Sequence, residues 1–364
     1  MKELKAENLK RVVVRGTNWV GDTVMTVPAL RALRRLLPEA HITLATRPFA
    51  KGLFTGAQFI DDLLVCDHGS SLFAKILGQA REWRSRHFDL AILFPNSFEA
   101  AAVAWLGGAH VRMGYATERR GFLLSHHLEV PAWRATRHET FYYLNIIAEL
   151  EQLLAGRTTI LEQEPAIGLD VTDSRQAEAV AFLRQQGVHE GRPLIALCPG
   201  SINSRAKRWP AERFASLADR FIEELGADVV LIGSAEELDV SLDVSQRMRR
   251  KSIMLTGKTE LDLAVAVLNE VDLLVTNDTG PAHIAAALDR PTLVIFGPTN
   301  PLTTRPLSSL AEIVRYPPDC APCMLRDCPI DHRCMTAITP EDIFDRAVKM
   351  LGKQPQFDKL QFVV

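Results

Sequence analysis

Short continuous apolar runs alternate along this chain with stretches in which large apolar residues recur every third or fourth position. Arg11 to Arg15, centred on Val12-Val13-Val14, reads as a buried strand. Pro28 opens a helix with Leu30, Leu33 and Leu37 on one face, and Pro38 ends it. His41 to Thr46 is the next strand, and Asp89 to Phe94 a later one that stops at Pro95-Asn96-Ser97. From Ala155 to Asp173 the rhythm breaks at Gly156, Glu162, Glu164, Pro165 and Gly168, marking a linker. It then restarts: Leu194 to Cys198 is a strand, and Phe214, Leu217, Phe221 and Leu225 line a helix that begins at Pro210 and stops at Gly226. Strands at 228–232, 272–275 and 291–296 alternate with helices at 261–268 and 282–288, and Thr339-Pro340 caps a last helix. This alternation predicts an α/β fold of two Rossmann-like, doubly wound domains with parallel sheets. The expected boundaries are 1–165 and 166–340, with 341–364 forming a helix and tail that pack back on the first domain.

Bulk properties narrow the class. A chain of 364 residues exceeds the size at which a single core keeps growing, which supports two domains. Apolar content of 47% and aromatic content of 7% suit an ordinary globular protein. Forty-two basic side chains nearly balance 44 acidic ones, which argues against nucleic-acid binding through bulk charge. The first ten residues are charged and lack a signal peptide's apolar stretch, and the greasy region 90–109 is broken by Pro95-Asn96-Ser97 and Glu99. A cytoplasmic location is expected, with at most peripheral contact with the inner membrane. Between His110 and His138 stand Arg112, Arg119, Arg120, Arg134 and Arg137 against Glu118 and Glu129. Such a run reads either as solvated surface or as a docking face for an anionic acceptor.

Four of the six cysteines crowd one segment, Cys320-x2-Cys323-x4-Cys328-x5-Cys334. Disulfides are disfavoured in a cytosolic protein. Four thiolates at this spacing suit a structural zinc, with iron–sulfur ligation and four reduced thiols as the other readings. A closed set of four ligands leaves no open position for catalysis.

Two strand-end loops carry the chemistry. The first, Arg15-Gly16-Thr17-Asn18-Trp19-Val20-Gly21-Asp22, has the glycine spacing of a phosphate loop, but Asp22 stands where that motif needs lysine. No dinucleotide glycine pattern is present either. What remains is a carboxylate at the mouth of a strand–helix turn, either a helix cap or a catalytic base. The second, Asn277-Asp278-Thr279-Gly280-Pro281-Ala282-His283, offers backbone N–H groups of Thr279 and Gly280 at a helix N-terminus, a ready anion site. His283 taken alone reads as a helix-surface histidine. The loop Ser201 to Pro210 adds the polar Asn203 and three cations, Arg205, Lys207 and Arg208, of which Lys207 and Arg208 could balance a diphosphate. Gly233-Ser234-Ala235-Glu236-Glu237 offers a carboxylate for ribose hydroxyls. Together these point to a nucleoside diphosphate in the second domain, with the two domains facing each other across a cleft.

The strings Trp19-Val20-Gly21-Asp22, Pro95-Asn96-Ser97-Phe98, Cys198-Pro199-Gly200, Ala206-Lys207-Arg208-Trp209-Pro210 and Thr276-Asn277-Asp278-Thr279-Gly280 resemble the heptosyltransferases of glycosyltransferase family nine, of GT-B architecture. The resemblance covers nearly the whole chain. It implies Asp22 as general base; Ser201, Asn203, Lys207, Arg208, Glu236, Asp278, Thr279, Gly280 and His283 on the donor; and Asn18, Trp19, Asn96, Arg119 and Arg120 on the acceptor. The implied donor is ADP-L-glycero-β-D-manno-heptose, and the implied acceptor is the inner-core heptose on Kdo-modified lipid A, with inversion at the anomeric carbon. No cofactor is required for that chemistry, since protein cations and a helix end balance the leaving diphosphate. A helix N-terminus favours an ionised carboxylate, which makes Asp22 a weak base at rest and suits a late proton transfer. The rival readings are a nucleotide-sugar epimerase of similar fold, a family relative using another sugar, and a non-catalytic nucleotide-sugar-binding scaffold.

Overall fold

The computed structural model describes residues 4–66 and 71–352. The chain divides after Ile167 into two compact units, close to the expected linker. The first unit holds six strands: β1 (Arg11–Arg15), β2 (His41–Thr46), β3 (Asp62–Val65), β4 (Leu90–Leu93), β5 (Val111–Tyr115) and β6 (His126–Leu128). They lie parallel in the order β3-β2-β1-β4-β5-β6. The second holds β7 (Leu194–Cys198), β8 (Asp228–Leu231), β9 (Ile253–Met254), β10 (Leu273–Asn277), β11 (Thr292–Ile295) and β12 (Ala311–Val314). Its order, β12-β11-β10-β7-β8-β9, repeats the same doubly wound pattern. The order in which strands are added reverses between β1 and β4 in one sheet, and between β7 and β10 in the other. Ligands of open α/β sheets bind outside the strand ends at such switch points.

The central strands are apolar throughout because helices cover both faces of each sheet. Val12, Val13 and Val14 have no exposed surface, and Leu90 to Leu93 are equally buried. In the second unit the helix Ala211–Leu225 puts Phe214, Leu217 and Phe221 into the core. Pro210 proves to be the residue before that helix rather than its first, and Gly226 ends it at φ +61°, a left-handed conformation glycine adopts without strain. The last helix, Pro340–Leu351, is capped as expected by Thr339, whose hydroxyl accepts from the Asp342 N–H. Its apolar face, Ile343, Phe344, Ala347 and Leu351, belongs to the second unit's core, and Phe344 stacks on Phe221 at 5.5 Å. The tail 353–364 lies outside the described residues.

Candidate active site

Both loops of the first sheet's switch point carry expected residues. After β1 the chain turns through Asn18 and Trp19 into the helix Val20–Met25. Trp19 is the residue before the first turn, with extended backbone, and Asp22 is the third residue of the helix. Asp22 is therefore not the cap. It sits half-buried close to Tyr143, whose buried hydroxyl is pushed well above the ordinary phenol range by burial and then by the charges of Asp22 and Glu139. Asn18 accepts from Arg47 Nε at 3.2 Å, and Trp19 stands 54% exposed.

After β4, Asn96 is fixed by its amide and by its backbone. Its Nδ2 donates to the Tyr142 hydroxyl at 3.1 Å, and its carbonyl accepts from Thr117 Oγ1 at 3.0 Å. Tyr142 stacks on Tyr115 with ring centroids 4.0 Å apart, and Arg134 lies over its other side at 4.1 Å. Arg134 is ion-paired with Glu139, whose carboxyl is raised by burial against the pull of that arginine.

Arg120 is a correction. Expected on the acceptor, it has no exposed surface. Its guanidinium donates to the carbonyls of Tyr115 (2.9 Å), Pro95 (2.5 Å) and Ser97 (3.0 Å), and burial lowers its pKa to about 10. It pins the Pro95-Asn96-Ser97 loop to the end of β5. The arginine-rich stretch as a whole is less of a docking face than its composition suggests. Arg112 donates to the Leu123 and Ala109 carbonyls, and Arg137 donates to Leu161 while packing over Phe141 at 3.5 Å. Arg119 is the exposed member, at a left-handed φ of +59°.

The second unit's switch point joins the ends of β7 and β10. Asn277 Nδ2 donates to the carbonyls of Pro199 (2.8 Å) and Gly200 (3.2 Å), and its Oδ1 accepts from the Trp209 N–H at 3.0 Å. Lys207 is not held out toward a ligand: its Nζ pairs with Asp278 Oδ2 at 2.8 Å and reaches the Asp278 carbonyl at 3.2 Å. Thr299 Oγ1 donates to the same Asp278 oxygen at 2.6 Å. Arg208 donates twice to the carbonyl of Ser201, itself a buried residue, while Asn203 is exposed. Thr279 precedes the helix Gly280–Ala287 as its N-cap, with Gly280 as the first helical residue. His283 is buried rather than on the helix surface, because this helix is covered by its neighbours and has little exposed face.

Glu236 is exposed, and its neighbour Glu237 is the inward-facing carboxylate. Glu237 accepts from the Ser234 N–H at 2.9 Å and its hydroxyl at 3.1 Å. A Cβ on Gly200 would stand 2.2 Å from Glu237 Oε1, so this close approach requires glycine. Cys198 beneath is pushed up to about 12 by burial and by the Glu237 charge, leaving it a neutral thiol at ordinary pH.

The cysteine segment buttresses the basic loop. The Ala206 N–H donates to the Arg326 carbonyl at 2.9 Å, the Ala206 carbonyl meets His332 Nε2 at 2.6 Å, and Arg205 pairs with Asp327. Cys320 is exposed, Cys323 and Cys328 are half-buried, and Cys334 is buried. Among the described residues no group of three or more His, Cys, Asp or Glu side chains stands in a metal-holding arrangement; the Cys334 thiol is nonetheless raised by burial and then by Cys328, Cys323 and Cys320, so the four thiols lie near one another.

Sequence reasoning passed over Tyr142, Tyr143, Glu139, Asn277, Thr299 and Glu237. Asn277 and Glu237 lay within loops already singled out. The Glu139 to Tyr143 run carried no functional signal in the sequence, and the place of Tyr143 near Asp22 depends on tertiary packing.

Two doubly wound units, with a carboxylate at one switch point and a cationic, threonine-lined turn at the other, form an α/β frame suited to a phosphate-bearing ligand. The profile of glycosyltransferase family 9 (heptosyltransferase) matches residues 77–333, and the chain belongs to that family and is a glycosyltransferase. It is 30% identical to lipopolysaccharide heptosyltransferase 2 of Escherichia coli over 315 residues, covering 84% of this chain and 88% of that protein. The solved E. coli ADP-heptose lps heptosyltransferase II superposes with a TM-score of 0.79 at 26% identity, covering 94% of this chain and 98% of that one. A glycosyl transferase family 9 structure from Veillonella parvula gives 0.81 at 27% identity, covering 97% and 99%. Among the described residues no helix is long and apolar enough to cross a membrane.

Proposed function

We propose that this chain transfers L-glycero-D-manno-heptose from ADP-heptose to the first heptose of the lipopolysaccharide inner core, at the cytoplasmic face of the inner membrane. The observation that carries the site assignment is the occupancy of both switch points: Asp22 follows β1, and Lys207, Asp278, Thr279 and Gly280 gather where β7 and β10 end. The reaction takes its base from the first unit and its donor grip from the second. Asp22 accepts the proton of the acceptor hydroxyl as the new bond to the anomeric carbon forms. The bond from that carbon to the diphosphate oxygen breaks on the opposite face, and its electron pair leaves with ADP. Lys207, Arg208 and the N–H groups opening the helix Gly280–Ala287 stabilise the growing charge, so a catalytic metal is not needed. Lys207 turns from Asp278 toward the diphosphate as the donor enters.

The test is incubation of the protein with ADP-heptose and an inner-core acceptor ending at its first heptose. The expected product gains the mass of one heptose with release of one ADP. Isomerised donor in the absence of acceptor would instead support an epimerase, and no change in either compound would remove the catalytic reading.

A further inference from the structure

A cavity of about 130 Å³ opens where β1 and β2 end against the helix Leu72–Arg86, in the first unit and outside the residues assigned above. Arg15, Arg47 and Lys75 line it together with the buried amide of Gln79, the thiol of Cys66 and one carboxylate, Glu99. The lining therefore carries an excess of positive charge. Arg15 is only 5% exposed, and its Nη1 bonds are to the neutral carbonyls of Gly16 and Ala45, both at 3.2 Å. Among the described residues neither Arg15, Arg47 nor Lys75 forms an ion pair, and Glu99 reaches none of them within salt-bridge distance. Glu99 offsets the Arg15 charge only from beyond ion-pair distance; a buried guanidinium without a paired carboxylate is costly, and an arriving anion relieves that cost. Burial pushes the Cys66 thiol up, so it supplies no compensating negative charge. Gln79 is 3% exposed and its Oε1 has no hydrogen-bond partner, so a protonated or hydroxyl-bearing group has an acceptor waiting.

We infer that this cavity is an oxyanion subsite, taking a phosphate or carboxylate substituent of the sugar acceptor. Its volume is far below that of a site for a whole nucleotide or drug-sized ligand, and suits a single acidic group. Planar, multi-donor guanidinium groups match such oxygens well. The subsite connects to the reaction through Arg47, whose Nε donates to Asn18 Oδ1 at 3.2 Å in the turn that leads to Asp22. An anion held by Arg15, Arg47 and Lys75 therefore fixes the turn that presents the base. The acceptor role rests on the transferase reading above; the affinity for an oxyanion does not.

Two measurements separate those levels. Thermal unfolding is followed with inorganic phosphate added at constant ionic strength, for the unaltered protein, Arg47→Gln and Lys75→Gln. Phosphate is expected to raise Tm of the unaltered protein and to lose most of that effect in both variants. Equal shifts in all three proteins, or none in the unaltered one, overturn the subsite whatever reaction the enzyme performs. Acceptor kinetics are then compared for an inner-core acceptor with and without its acidic substituents. The unaltered enzyme is expected to prefer the acidic acceptor by roughly tenfold or more in KM, as a charge-assisted contact implies. In Lys75→Gln and Arg47→Gln that ratio falls toward one while donor KM holds. Robust transfer that ignores the acidic groups overturns the subsite and leaves the transferase intact. Phosphate protection without transfer to any acceptor supports the subsite and counts against the transferase reading.

Discussion

The ammonium of Lys207 lies 2.8 Å from Oδ2 of Asp278, joining the loop after β7 to the end of β10. The pair is largely buried, with Lys207 25% and Asp278 4% exposed at the side chain, and Thr299 holds the same carboxylate oxygen. In the proposed donor site a diphosphate competes with Asp278 for one cation. Lys207→Ala is expected to weaken ADP binding by about 10- to 100-fold, the range for a hydrogen bond to a charged group. Calorimetric titration with ADP measures it, and an unchanged Kd takes Lys207 out of the donor site.

Asp22→Asn keeps the shape of the side chain in the first turn of its helix and removes its capacity to take a proton. The expected loss in kcat is about 10²- to 10⁴-fold, the usual contribution of a general base, with ADP affinity retained. Near-normal turnover would assign the proton to another group.

Adjacent arginines should behave oppositely. Arg120→Ala leaves the carbonyls of Tyr115, Pro95 and Ser97 unpaired and opens a hole, a cost of roughly 3 kcal/mol or more. That corresponds to a fall in Tm of about 10 °C. Arg119→Ala, at an exposed position, is expected to raise acceptor KM a few-fold with Tm unmoved. Identical Tm values for the two variants would contradict the structural role given to Arg120.

That pair also shows where sequence reading stops. The fold was legible because strands buried on both sides must be apolar throughout and glycine or proline must punctuate them, as Val12-Val13-Val14 and Gly226 illustrate. The strand-end loops were legible for the same reason, since doubly wound sheets place ligands there. Charge runs were not. Nothing in the string Glu118-Arg119-Arg120 says that one guanidinium points outward and the next disappears under three carbonyls. Likewise Glu236 and Glu237 are interchangeable in a sequence pattern, and only the close approach of Gly200 selects Glu237 as the inward one. Short or half-exposed strands such as β3 and β9 lack a hydrophobic signature strong enough to register.

Glu139 gives a pH-dependent signature. Burial raises its carboxyl above the ordinary value of 4.5 despite Arg134. The folded state therefore binds this proton more tightly than the unfolded chain. The resulting stabilisation is fully present below the unfolded pKa and is lost as pH rises through the raised folded value. Glu139→Gln removes that dependence. The Tm of the unaltered protein minus that of Glu139→Gln is expected to shrink from pH 4 upward, and a difference growing with pH would reverse the assignment.

For the cysteine segment, metal ligation and four reduced thiols make opposite predictions, and metal content separates them. Reduced thiols would leave the purified protein with well under one equivalent of zinc or iron and a Tm that chelation does not change. One full equivalent, with lower Tm on its removal, would establish a tetrahedral thiolate site instead.

The bonds from the Ala206 backbone to the Arg326 carbonyl and the His332 ring tie the basic loop to a segment made more than a hundred residues later. During synthesis, β7 and the basic turn leave the ribosome long before the strut that fixes them. The basic turn is thus braced only once residues 326–332 have been made, and a chain truncated ahead of residue 324 would fold a sheet with an unbraced mouth.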